Sequence, residues 1–115
     1  MKIKQFDIWL ADLNLVRGAE PGKKRPVVVV QTDLLNNEHL STIICPVTSN
    51  VKPDIDLLRV HLHKEQLEQQ SDVLVDQVRA IDNRRLIKKL SRLSKEQKKK
   101  LKYNLKVVQI CKYKA

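Results

Sequence analysis

Glycine is almost missing from this chain: Gly18 and Gly22 are the only two in 115 residues, and both fall in the stretch NLVRGAEPGKKRP. A glycine-rich phosphate cradle is thereby excluded, as is the GxSxG turn of serine-type acyl transfer. Cysteine is equally scarce. Cys45 and Cys111 stand far apart, so no CxxC pair exists, and HExxH is absent too, which removes the usual frames of zinc chemistry. Cys45 lies inside the apolar run TIICPV and Cys111 ends VVQIC, so both read as buried thiols in a reducing compartment. No apolar run approaches the roughly twenty residues that span a bilayer. The opening MKIKQFDIW has no stretch of signal-peptide length before Asp7, and a cytoplasmic protein without a membrane partner is the expectation. Four aromatics, Phe6, Trp9, Tyr103 and Tyr113, leave the core to Val, Ile and Leu.

What is present is positive charge, unevenly spread. The net charge is +10, yet from Arg84 onward thirteen Lys and Arg face one acid, Glu96, a local excess of +12. Residues 1–83 carry a net −2. A basic surface of this kind draws polyanions and speeds encounter more than it sets specificity. The length suits a single domain over residues 1–115.

Hydrophobic periodicity places the elements. FDIWLADL, residues 6–13, reads as a strand with Phe6, Ile8 and Leu10 on one face and Asp7 and Asp12 on the other. PVVVVQ (26–31) and TIICPVTS (42–49) are continuous β-branched runs expected to be buried on both faces, joined by TDLLNNEHL as one helical turn or a wide connection. LLRVHL (57–62) alternates, and HKEQLEQQS after it is a short helix or an extended turn. In SDVLVDQVRAID (71–82) the alternation slips at Asp76 and Gln77, as at a bend that re-aims side chains. Ser94 with Gln97 forms a capping box, and Leu101, Leu105 and Val108 recur at helical spacing beyond it. Strands followed by one terminal helix predict a mainly β, α+β fold: a small, strongly curved antiparallel sheet or barrel.

Four segments in this order resemble one family. The D-I-W strand, the G-x-E loop ending at Arg25-Pro26, the P-x-T-S strand end at Pro46 to Ser49, and D-Q-x-R-x-I-D at Asp76 to Asp82 are similar in sequence and spacing to the MazF/PemK toxins of bacterial toxin–antitoxin systems. The resemblance covers nearly the whole chain. It implies an SH3-like barrel with short helices and a C-terminal helix, a homodimer, metal-free cleavage of single-stranded RNA without a cofactor, and an antitoxin with an acidic disordered tail. Carried over residue by residue, it implies catalysis by Arg25 and Thr48, with Glu20, Ser49, Asp76, Gln77 and Arg79 shaping the RNA groove.

Those residue types suit the task. An arginine stays charged and can fork onto two phosphate oxygens, while a threonine hydroxyl can donate to the same phosphate. With a pKa above about 12, Arg25 is a stabiliser of charge before it is a base. Some members of the family carry a histidine where this chain has Ala19, and an arginine where it has Leu74, which leaves more of the burden on Arg25 and Thr48. His61 and His63 share a strand face without a nearby third ligand and read as exposed side chains. Two other functions compete: a gyrase poison of the same fold that cuts nothing, and a non-catalytic nucleic-acid module gripping through the basic third. RNA left intact by a protein that traps gyrase selects the first; binding without cleavage, unchanged by Arg25→Ala, selects the second.

Overall fold

A computed structural model describes residues 2–13 and 24–110. Seven strands run in the order β1 (Asp7–Asp12), β2 (Lys24–Val29), β3 (Ser41–Thr48), β4 (Arg59–Leu62), β5 (Ser71–Leu74), β6 (Arg79–Asp82) and β7 (Leu86–Arg92). A one-turn helix α1 (Lys64–Leu67) sits between β4 and β5, and α2 (Lys95–Gln109) ends the described chain. All pairings are antiparallel, in the spatial order β4-β5-β3-β2-β1-β7. This is the mainly β, barrel-like sheet with a C-terminal helix that the pattern predicts.

The curvature has a local cause. One edge of β3 is shared by two strands, β5 at Val47 and Thr48 and β6 from Ser41 to Ile44. Between β5 and β6 the chain turns through a single 3₁₀ turn, Val75–Gln77, where the alternation slips in the sequence. β3 is thus bent around a corner made by its own neighbour.

Two cores result, one on each side of the pleat. Ile8, Val28, Cys45, Val47, Val60 and Val73 face α2 and pack with its Leu101, with Leu105 and Val108 against them. Trp9, Ala11, Val27, Val29, Ile44 and Ile81 face the other way and form a second cluster with Ile3 and Leu86. β2 is accordingly buried on both sides, as its unbroken valines predict. β1 departs from its expected polar face, since Asp7 is buried and Trp9 and Ala11 fill the second core. In β3 the departure is Ile43, which is exposed rather than enclosed. Cys45 is a free, buried thiol, and Cys111 lies outside the described residues.

Three described residues other than glycine adopt positive φ: Phe6, Asn37 and Glu68, at 71°, 69° and 69°. Phe6 is the bulky case. Its N–H donates to Val29 O, its carbonyl accepts from Leu93 N–H, and its ring enters the core under α2, contacts that hold the unfavourable backbone in place. α2 starts as predicted, with Ser94 Oγ accepting from Gln97 N–H and Gln97 Oε1 accepting from Ser94 N–H.

Candidate functional site

Alternation along three strands separates core from chemistry. Val47, Val73 and Val60 are cross-strand partners on the helix side, so the residue next to each in its strand must face away from it. Thr48 pairs with Asp72, and Asp72 with His61. On the other flank β2 pairs with β3 through Val29–Ile44, Val28–Cys45 and Val27–Pro46, and by alternation Arg25, two residues before Val27, and Thr48, two after Pro46, face the same side of the sheet. Arg25, Thr48, Asp72 and His61 therefore form a polar row across β2, β3, β5 and β4.

A cavity of about 250 Å³ opens at the first half of this row, lined by Arg25, Thr48 and Ser49 with Lys24, Gln69 and Ser71. Thr48 Oγ1 accepts the Asn50 N–H at 3.1 Å, folding the chain back after β3. A hydroxyl that accepts in this way keeps its proton to donate. Arg25, half-buried, lines the same cavity.

The second half of the row turns on Asp72, which has no exposed surface. It accepts from Lys52 N–H at 2.9 Å and Arg59 Nη1 at 3.0 Å, and shares a hydrogen bond with His61 Nδ1 at 2.6 Å. Burial pushes its carboxyl up, but the Lys52 amide, His61 and Arg59 outweigh burial and hold it below the ordinary carboxylate value. Arg59 Nη1 also donates to Asn50 O at 2.7 Å, so one buried charge ties down both ends of the segment that follows Thr48. His61 is thus an oriented side chain rather than a freely exposed one; its other nitrogen lies 3.7 Å from Asp56 Oδ1. His63 is exposed. Beyond Ser71 a larger cavity of about 540 Å³ continues past Asp72 and His61.

The remaining candidates are scattered. Glu20 and Ala19 lie outside the described residues. Asp76 and Gln77 are exposed on the 3₁₀ turn, and Asp76 is near enough to Cys45 to add to the burial that pushes this thiol up to about 12. Neither lines the Arg25–Thr48 cavity, and nor does Arg79, which pairs with Ile44, four residues along β3 from Thr48. Leu74 lies directly across from Arg59. Among the described residues no cluster of three His, Cys, Asp or Glu side chains could hold a metal ion, and no helix is long and apolar enough to cross a membrane. Asp72, Arg59 and His61 were not legible as a unit, because periodicity gives the face of each residue but not its cross-strand partner.

Comparison with known proteins places the chain in a family. Residues 4–109 match the model of a family described as PemK-like, MazF-like toxin of type II toxin–antitoxin systems. Among solved structures the chain is similar to the Mycobacterium tuberculosis toxin MazF-mt6 at TM-score 0.77 and 19% identity, covering 93% of this chain and 99% of that one. It is similar to MazF of Deinococcus radiodurans at TM-score 0.77 and 22% identity, over 94% and 96% of the two chains. A mycobacterial endoribonuclease solved with its cognate antitoxin superposes at TM-score 0.78 and 12% identity, over 97% and 99%. At these identities the structural likeness speaks for the fold.

Proposed function

Because the chain belongs to the PemK-like, MazF-like toxins of type II toxin–antitoxin systems, we propose that it is an endoribonuclease that cuts single-stranded messenger RNA in the cytoplasm and so halts translation. One observation carries the reading: Arg25 and Thr48, from different strands, line the same cavity.

The reaction these groups suit is transesterification within the RNA. The 2′-oxygen bonds to phosphorus as the bond to the 5′-oxygen breaks, leaving a 2′,3′-cyclic phosphate and a 5′-hydroxyl; one proton moves, in net, from the 2′-hydroxyl to the departing oxygen. Negative charge gathers on the non-bridging oxygens on the way. Arg25 forks onto those oxygens and Thr48 donates its hydroxyl to one of them, fixed in direction before the substrate arrives. Neither role calls for a metal ion. Ser49, Lys24 and Gln69 extend the polar wall on which the chain lies, with Glu20, Asp76, Gln77 and Arg79 contacting RNA farther from the cut or across a homodimer.

The partner reading follows the same line. A mycobacterial relative is solved with its cognate antitoxin, and the basic α2 of this chain suits an acidic, disordered antitoxin segment that wraps the dimer. The test is cleavage of a labelled single-stranded RNA by purified protein in EDTA. Wild type is expected to release products ending in cyclic phosphate, and Arg25→Ala to lose at least about 100-fold in kcat/KM, the scale of removing one charge-stabilising donor. Wild-type-like cleavage by Arg25→Ala, or activity that returns only with Mg²⁺, overturns the mechanism.

A further inference from the structure

Single-stranded RNA offers flat bases as well as phosphates, and proteins hold splayed bases on flat side chains. This chain has few. Phe6 and Trp9 are sealed in the two cores, and Tyr103 is on α2, which packs against the opposite face of β4. Next to the Arg25–Thr48 cavity the flat rings among the described residues are His61 and His63, which line the 540 Å³ cavity with Gln70 and Ser71. The two cavities meet at Ser71, which belongs to the wall of both.

His61 is held as a platform would need to be. Its Nδ1 is tied at 2.6 Å to a carboxylate with no exposed surface, itself anchored by Arg59 and the Lys52 amide, while 38% of the side chain stays open to solvent. An exposed imidazole commonly turns freely about its side-chain bonds; this one is immobilised in advance, which lowers the ordering cost of stacking. Its place in the row, two strands from Thr48, is about 10 Å along the sheet, within reach of a nucleotide adjoining the cleaved bond. Gln70 adds an exposed amide that can meet the edge of a base, and Lys64 a cation for the next phosphate.

We propose that this second cavity is a nucleobase subsite, in which a base next to the cleaved phosphodiester stacks on the His61 ring while Asp72 holds that ring in position. The proposal rests on the endoribonuclease reading and adds a source of sequence preference to it.

The experiment uses a single-stranded oligonucleotide that wild type cuts once, remade with one abasic position at a time on each side of the cut. At one flanking position the missing base should lower wild-type kcat/KM by about 5- to 100-fold. His61→Ala should show the same loss on the intact oligonucleotide and no further loss on that abasic one, and His61→Phe, which keeps a flat ring, should recover most of it. Should His61→Ala fail to fold by circular dichroism, Gln70→Ala, an exposed residue of the same cavity, goes through the same series. Losses that simply multiply, or an oligonucleotide indifferent to every abasic position, overturn the subsite while leaving the cleavage reading intact. Wild type that cuts no RNA overturns the cleavage reading itself.

Discussion

A carboxylate with no exposed surface has to be met by donors, and Asp72 is met by three: an amide, a guanidinium and an imidazole. Asp72→Asn removes the charge but keeps the size. The amide leaves Arg59 facing a weaker acceptor, and the expected cost is about 2 to 3 kcal/mol. That is under the roughly 3 to 5 typical of breaking an enclosed pair, since Arg59 and His61 both keep some contact with water. Urea denaturation of wild type and variant at neutral pH measures it. The sign with pH follows from linkage. The folded Asp72 titrates below its ordinary value of 3.8, so the folded state binds fewer protons there than the unfolded one. Its contribution is complete above the unfolded pKa and is lost as pH falls through the folded one. Wild type should therefore lose its advantage over Asp72→Asn as pH drops below about 4, and a gap that stays constant down to acid unfolding would remove Asp72 from this role.

Elements were legible where one face of a segment is clearly apolar. α2 has Leu101, Leu105 and Val108 on one stripe and a capping box ahead of it, and its N-terminus lies where Ser94 places it. Because Ser94 satisfies an otherwise orphaned amide, Ser94→Ala should cost about 1 kcal/mol in urea denaturation, with Ser94→Asp recovering most of it. A loss under a few tenths would show that the tie from Gln97 Nε2 to the carbonyl of His61 holds the helix start unaided. β2 and the break at Asp76–Gln77 were equally open to reading, the first from four successive valines and the second from a lapse in alternation. β7 was not. Leu86 is its one residue in a core, while Ile87, Lys88, Lys89 and Leu90 are exposed on an edge strand, so neither the helical nor the strand period stands out. The site divides in the same way. Arg25 and Thr48 were found through resemblance, since nothing in their spacing distinguishes them from surface strand residues. The Asp72–His61 tie depends on β4 pairing with β5 in one register across a helix-bearing connection, which local pattern does not specify.

At the scale of the molecule, most of the helix charge lies apart from the Arg25–Thr48 cavity, although Lys100 shares a wall with His61 and His63. Six of the thirteen cations of the last third, Lys95, Lys98, Lys99, Lys100, Lys102 and Lys106, are on α2, whose apolar stripe packs on the side of the sheet that holds Val47, Val60 and Val73. Thr48 and Asp72 point to the other side, where Arg25 and Arg59 supply the local positive charge. With a Debye length of about 8 Å at physiological ionic strength, exposed lysines across a sheet and its core are largely screened from a phosphate in the cavity. The basic helix is thus better placed to grip a second polyanion than the RNA being cut. Replacing Lys95, Lys99 and Lys106, all exposed on α2, with glutamine should leave kcat/KM on a short oligonucleotide within about threefold of wild type at 0.15 M salt. The same variant should bind an acidic antitoxin segment at least about tenfold more weakly in titration calorimetry, with a shallower salt dependence. If cleavage falls by more than tenfold while antitoxin affinity holds, the helix belongs to the RNA path and the two surfaces are not divided as the fold divides them.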